Sequence, residues 1–292
     1  MELRQLEYFQ MVSRLSSVTK AAERLHIAQP SVTVAIRKLE AELGVKLFDR
    51  SQKQLSLTAE GQVYLQRVDD ILCRIHDSIM EMSDYRTLQK GSIKIGLTPT
   101  IGAALFPFIF AKFRQAYPQL EVSITEEGSL AVRSLLEQGE LDIGVLIISN
   151  ISRRLSVVPI TAGQIFVCLP PGHPLGKLHS SIPFAELKDQ PFILFKEDTY
   201  SRQLILEECA KHQFEPRIVF SSSQIETILG LVEQGAGISF LMDAIVRKRS
   251  SIISRPLSEP LFVRAGLAWN RDRYLSNAAR TFIDFINDSP AI

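Results

Sequence analysis

The chain has 292 residues, 46% of them hydrophobic and 22% charged, with a formal net charge of +1. That length suits two or three compact units with ample core, and the composition excludes disordered or collagen-like chains. The charge balance excludes a protein that binds polyanions by bulk charge alone. Residues 1–60 carry nine Lys/Arg against seven Asp/Glu, only a slight basic excess, so any nucleic-acid contact must come from placement. The first ten residues hold no basic stretch before an apolar core, and no apolar run nears the ~18 residues of a membrane span. A cytoplasmic protein without membrane contact is expected. Cys73, Cys168 and Cys209 are odd in number and form no CxxC pair, which excludes a disulfide framework or zinc cluster. Buried structural thiols and a redox-sensing pair both remain open.

In chain order, Leu6, Phe9 and Val12 predict a helix over 4–14, and Ser17 caps a second through Leu25, with Ala21 and Ala22 facing inward. A third runs from Gln29 to Leu43 and stops at Gly44, burying Val32, Ile36, Leu39 and Leu43. Its outer face is small, polar and basic: Ser31, Thr33, Val34, Arg37 and Lys38, with Gln29 and Pro30 at its start. Such a helix after a tight helix pair fits a helix-turn-helix, whose short side chains enter the major groove. An ordinary solvated helix face would look the same. Beyond Gly44, Leu55 and Leu57 alternate as in a strand, and Arg50 and Lys53 flank a polar turn, a wing suited to phosphate contact.

Residues 1–61 resemble the DNA-binding domain of LysR-type transcriptional regulators. The matching positions are Phe9, Val12, Ser17, Ala21-Ala22, Leu25, Gln29-Pro30-Ser31-Val32-Thr33, Ile36, Leu39-Glu40, Leu43-Gly44, Leu47-Phe48, Arg50, Leu57-Thr58 and Gly61. The resemblance implies a winged helix-turn-helix over 1–58, with the motif proper at about 18–37. Two departures stand out. Ala28 replaces the family's usual serine, which weakens the cap of the recognition helix, and Val34 replaces a long polar residue and suits a thymine methyl.

Thr58 caps a long helix over 59–88 on which Leu65, Val68, Leu72, Ile75, Ile79 and Met82 recur at heptad spacing. The stripe fits a dimerising seam, or packing on its own chain. Residues 89–91 follow as a hinge. From Ser92, strands alternate with helices, which predicts an α/β region with mostly parallel sheets. Strands are expected at 93–97, 121–125, 141–147, 165–169, 192–195, 217–221, 237–242 and 262–269, with one helix following Thr98-Pro99-Thr100 and running through Tyr117. Leu141-Asp142-Ile143-Gly144, Gly172-His173-Pro174-Leu175, Gly235-Ala236-Gly237-Ile238 and a closing helix with Ala279 and Phe282 are similar to the LysR-type effector domain, which implies a two-lobed, periplasmic-binding-protein-like fold over 92–292. The resemblance places lobe I at 92–161 and 267–292 and lobe II at 162–266.

Ligands of open α/β sheets bind beyond the carboxyl ends of strands. There stand Thr98, Pro99, Thr100, Ser129, Thr199, Ser201, Arg202 and Gln224, with Ile147 and Phe195 as apolar walls. The hydroxyls suit a ligand or plain helix capping; with Arg202 they favour a small carboxylate effector. No GxSxG elbow, phosphate loop or metal-spaced histidine set occurs, and Glu126-Glu127 reads as a solvated strand end. Two functions fit: an effector-gated regulator of duplex promoter DNA, or a solute-binding protein or enzyme with an unrelated helical N-terminus. The second predicts a secretion signal or a catalytic constellation, and neither is found. The resemblance further implies a homodimer, a tetramer as a dimer of dimers, RNA polymerase as a partner, and no enzyme activity, cofactor or metal.

Overall fold

The computed structural model describes residues 1–49, 55–86, 91–149, 151–178, 180–247 and 249–288. The chain divides into two compact units, Met1–Met82 and Ser83–Ile292.

The first unit opens with α1 (Leu3–Leu15), α2 (Val18–Leu25) and α3 (Gln29–Leu43). Local chemistry sets these bounds. The Ser17 hydroxyl accepts the Lys20 N–H at 3.3 Å, and Gly44 ends α3 at φ +72°. Ala28 offers α3 no side-chain cap, as expected; Pro30 in the first turn needs none, having no N–H to satisfy. Phe9 lies at the centre of the core, 5.4 Å ring to ring from both Phe48 and Tyr64, with Val32, Ile36 and Leu39 packed around it. Strands β1 (Phe48–Asp49) and β2 (Ser56–Leu57) pair antiparallel, and α4 spans Ala59–Arg86. The Thr58 hydroxyl accepts the Gly61 N–H at 2.9 Å and so caps α4. Of the hinge expected at 89–91, only Gly91 falls within the described residues.

The second unit runs β3 (Ser92–Leu97), α5 (Pro99–Ala104), α6 (Phe106–Ala116), β4 (Glu121–Glu126), α7 (Ser129–Glu137), β5 (Ile143–Ile147), β6 (Leu155–Leu169), α8 (Pro174–Leu178), β7 (Pro191–Phe195), α9 (Tyr200–Lys211), β8 (Arg217–Ser222), α10 (Ile225–Glu233), β9 (Ser239–Met242), α11 (Asp243–Val246), β10 (Ile253–Pro256), β11 (Phe262–Asn270) and α12 (Asn277–Asp288). The main sheet has the order β10-β6-β11-β5-β3-β4, with β9 also on β6; β7 and β8 pair separately.

Three expectations are corrected. The main sheet is mixed, not mostly parallel: β3 runs parallel to β4 and β5, but every pairing of β6 and β11 is antiparallel. These long strands carry the chain across the unit. The first part of β6 pairs with β11 beside β5, and its last part pairs with β9 and β10. Second, β6 begins at Leu155, ten residues before the expected strand, and runs through Pro159. Its partner register shifts between Ala265 and Gly266, opposite Thr161 and Pro159, so the proline sits at a bulge. Third, the single helix expected after Thr98-Pro99-Thr100 and through Tyr117 is two helices broken at Leu105 (φ −122°). Pro107 cannot donate to the carbonyl one turn back, so the helix must restart.

Candidate functional site

In the first unit, burial of Val32, Ile36 and Leu39 turns the opposite face of α3 to solvent. Gln29, Pro30, Ser31, Arg37 and Lys38 are exposed, and Val34 is 55% exposed. Thr33 is half-buried, and its hydroxyl donates to the Gln29 carbonyl at 3.2 Å. A groove of about 460 Å³ between the start of α1 and this face is lined by Arg4 and Tyr8 together with Pro30, Ser31, Val34 and Lys38. Arg4 and Tyr8 were not foreseen; they lie on polar positions of α1, which only the packing brings beside α3.

The wing is fixed at its base. Glu40, 3% exposed, accepts the Leu47 N–H at 2.9 Å and the Phe48 N–H at 3.3 Å through Oε1. The Thr58 hydroxyl donates to the Lys46 carbonyl at 2.7 Å, and the Thr58 N–H to the Leu47 carbonyl at 3.0 Å. A Cβ at Gly61 would lie 2.1 Å from that Leu47 carbonyl oxygen, so only glycine lets α4 start this close to the wing. Arg50 and Lys53 lie outside the described residues.

The α4 stripe divides in two. Val68 is wholly buried in its own chain, and Leu65 and Leu72 are half-buried against the same core. Val68 is therefore not available to a partner, and the seam expected from heptad spacing is in its first half self-packing. A hydrogen bond from Gln10 to Asp69 at 2.5 Å and an Arg14–Asp69 ion pair at 3.4 Å hold this half of α4 to α1. Further along, Ile79 and Met82 are 62% and 56% exposed, Ile75 is half-buried, and Ile71 and Tyr85 are also exposed.

In the second unit a cavity of about 500 Å³ opens where two parallel pairs of strands, β3 with β4 and β7 with β8, end. Pro99 and Ala103 follow β3, Glu126 to Gly128 follow β4, Lys196, Asp198 and Thr199 follow β7, and Ser223 to Glu226 follow β8. This is the strand-end crevice the sequence indicated. Of the expected residues, Pro99, Thr199 and Gln224 line it. Thr98, Thr100, Ser129 and Ser201 are buried beside it, and Ile147 and Phe195 belong to the cores beneath. Thr199 also serves as a cap: its hydroxyl donates to the Lys196 carbonyl at 2.8 Å and accepts the Arg202 N–H at 3.4 Å. The Thr98 Oγ1 is buried and, among the described residues, has no hydrogen-bond partner.

Arg202, expected to meet an acidic ligand, is turned into its own lobe. Its Nη1 donates to the Phe195 carbonyl at 3.0 Å and to Ser221 Oγ at 2.8 Å, and its Nη2 lies 3.7 Å from Glu197. The groups that do line the cavity include Glu126, Glu127, Asp198 and Glu226 against Lys196. The two adjacent glutamates are thus at the strand-end crevice, not merely at a solvated strand end; the rule that found Pro99 and Gln224 applies equally to β4. The two sides also touch: the Leu130 N–H donates to the Asp198 carbonyl at 3.2 Å, and a Cβ at Gly128 would lie 2.2 Å from Asp198 Oδ2.

Burial pushes the thiols of Cys168 and Cys209 up to about 12, so both are uncharged thiols at neutral pH and poor redox nucleophiles. Glu208, His212 and Glu259 bring ligand atoms within 4.8 Å of one another, a spacing a cation could use. Glu208 is already paired with Lys211 at 2.7 Å and lies 3.4 Å from His212 Nε2, so the lysine meets its charge without a metal. No helix among the described residues is long and apolar enough to cross a membrane.

Residues 3–62 match the family model described as the bacterial regulatory helix-turn-helix protein of the lysR family, and residues 86–291 match the LysR substrate binding domain. The HTH-type transcriptional regulator YwbI of Bacillus subtilis (strain 168) is 34% identical over 97% of this chain and 95% of that protein. Among solved structures, a full-length OxyR variant from Pseudomonas aeruginosa is 28% identical with a TM-score of 0.62, covering 98% of this chain and 99% of that one. HinK, a LysR family transcriptional regulator from the same organism, is 28% identical with a TM-score of 0.61, covering 99% of each chain.

Proposed function

The chain belongs to the LysR family of transcriptional regulators, with a DNA-binding unit and an effector-binding unit, and from that premise we propose which residues perform each task. The outer face of α3 enters the major groove of duplex promoter DNA. Gln29, Ser31 and Thr33 offer hydrogen bonds to base edges, and Val34 offers an apolar contact to a thymine methyl. Arg37 and Lys38, with Arg50 and Lys53 of the wing, meet phosphates. Arg4 is added to this set from its place on the shared groove. The observation that carries this reading is the division of α3 into a buried apolar face and a face left exposed among the described residues.

Two copies pair through the exposed part of α4, Ile75, Ile79 and Met82 with Ile71 beside them, so that two recognition helices meet two half-sites. Leu65 and Leu72 contribute at the edge of this seam. A tetramer as a dimer of dimers, contact with RNA polymerase and residence in the cytoplasm complete the proposal; the protein acts by binding, not by catalysis. The effector sits in the strand-end crevice, within reach of Pro99, Thr199 and Gln224, with Thr98, Thr100, Ser129 and Ser201 in the shell around them. For the effector to alter DNA binding, it must favour one arrangement of the protein over another.

A gel-shift of the purified chain on DNA from its own upstream region tests the first part. Binding that weakens steeply with salt and is lost in Arg37→Ala/Lys38→Ala supports it. Binding of unchanged strength in that variant would remove α3 from the interface.

A further inference from the structure

The crevice carries a charge that the strand-end hydroxyls do not announce. Resting on the reading of this crevice as the effector site, we infer that the effector is a small organic cation bearing an ammonium or guanidinium group, not a carboxylate. Four carboxylates, Glu126, Glu127, Asp198 and Glu226, line the cavity with the single cation Lys196. Glu226 is paired with Arg249 outside the lining. Among the described residues, the side chains of Glu126, Glu127 and Asp198 have no hydrogen-bond or ion-pair partner. Arg202, the guanidinium that would favour an acidic ligand, is committed to Phe195, Ser221 and Glu197.

Unpaired carboxylates around a concave space focus a negative potential into it. An anion entering there gives up hydration and meets like charge, whereas an ammonium or guanidinium gains charge-assisted hydrogen bonds. Size points to an organic ion over a bare metal. The cavity, about 500 Å³, lies in the range of small-molecule sites. Pro99, Ala103 and Ile225 give it an apolar wall for a carbon skeleton, and Ser223 and Gln224 add neutral polar groups.

The placement also links binding to conformation. Glu126 and Glu127 follow β4 on one side of the crevice, and Asp198 follows β7 on the other, where its carbonyl already accepts the Leu130 N–H. A cation shared between these carboxylates stabilises the arrangement that holds the two sides together. That gives the effector the unequal affinity for two states that regulation requires.

The test is calorimetric titration of the full-length chain with putrescine, agmatine and spermidine, and with succinate and glutarate, at matched ionic strength. Magnesium chloride serves as the inorganic control. At least one organic cation should bind saturably, tenfold or more weakly in Glu127→Gln/Asp198→Asn and not at all in Ser223→Trp, which fills the crevice. Both variants are checked for an unchanged melting temperature. Saturable binding of a dicarboxylate that Ser223→Trp abolishes would overturn the charge assignment and leave the crevice as the effector site. Cation binding indifferent to Glu127→Gln/Asp198→Asn, or displaced equally well by magnesium, would overturn it too. Binding by neither class, or binding that survives Ser223→Trp, would overturn both the charge assignment and the crevice.

Discussion

Glu40 Oε1 accepts the Leu47 backbone N–H at 2.9 Å from a side chain that is almost entirely buried. This contact ties α3 to the base of the wing, where β1 begins. Glu40→Ala leaves the N–H groups of Leu47 and Phe48 without their acceptor, at a cost of about 1–3 kcal/mol for each buried group so exposed. Urea unfolding should show a destabilisation of that order, together with weaker DNA binding. Wild-type stability in the variant would mean that the carboxylate does not fix the wing.

Val34 is assigned to base contact and not to the core. It is more than half exposed, so Val34→Ala should leave stability within about 0.5 kcal/mol. Specific operator affinity should fall a few-fold, as expected when one of the two methyls lost packs on a thymine methyl at ~0.8 kcal/mol, while binding to random duplex stays constant. Parallel gel-shifts on operator and random DNA measure the difference. An equal loss on both would remove Val34 from base contact.

Arg50 is assigned to phosphate. Arg50→Ala should weaken binding to all sequences and lower the salt slope by about 1. A salt slope identical to that of the wild type would take Arg50 out of the interface.

The two halves of the α4 stripe should respond differently to charge. Ile79→Asp, on an exposed position, should convert the dimer to monomer in sedimentation while the fold persists. Val68→Asp, in the core with Phe9 and Leu39, should unfold the first unit by burying an unpaired charge. A dimer that survives Ile79→Asp would place the seam elsewhere.

Thr98→Val removes a buried hydroxyl that has no partner among the described residues. Stability should hold or rise, because no hydrogen bond is lost and an unsatisfied polar group is removed. A loss of effector response in a promoter assay, with DNA affinity intact, would tie Thr98 to the effector; a full response would limit it to the backbone of the crevice.

The recognition helix was legible to the residue because three signals agreed: the spacing of Val32, Ile36 and Leu39, Pro30 at its start, and Gly44 at its end. The antiparallel strands were not, since β6 crosses the unit through Pro159 at a bulge, and local patterns carry no information about which distant strand will pair. Heptad spacing located the stripe on α4 but could not tell a partner from the chain's own core, and Val68 went to the core. Strand ends located the crevice, because that rule depends only on topology. Its charge escaped, since adjacent carboxylates such as Glu126 and Glu127 look the same on a solvated loop and on a cavity wall. Arg202 was misleading for a related reason: a guanidinium at a helix start is free in sequence, and only packing shows it bonded to Phe195 and Ser221.

Nuclease footprinting of the purified chain on its own upstream DNA, repeated with Ile79→Asp, addresses the paired recognition helices most directly. Two protected half-sites are expected, spaced by about 10–10.5 base pairs or a multiple of that, each shifted in preference by Val34→Ala and both lost or weakened together in Ile79→Asp. Absence of any protected site at low salt, or a single site bound with equal strength by a monomer, would contradict that pairing.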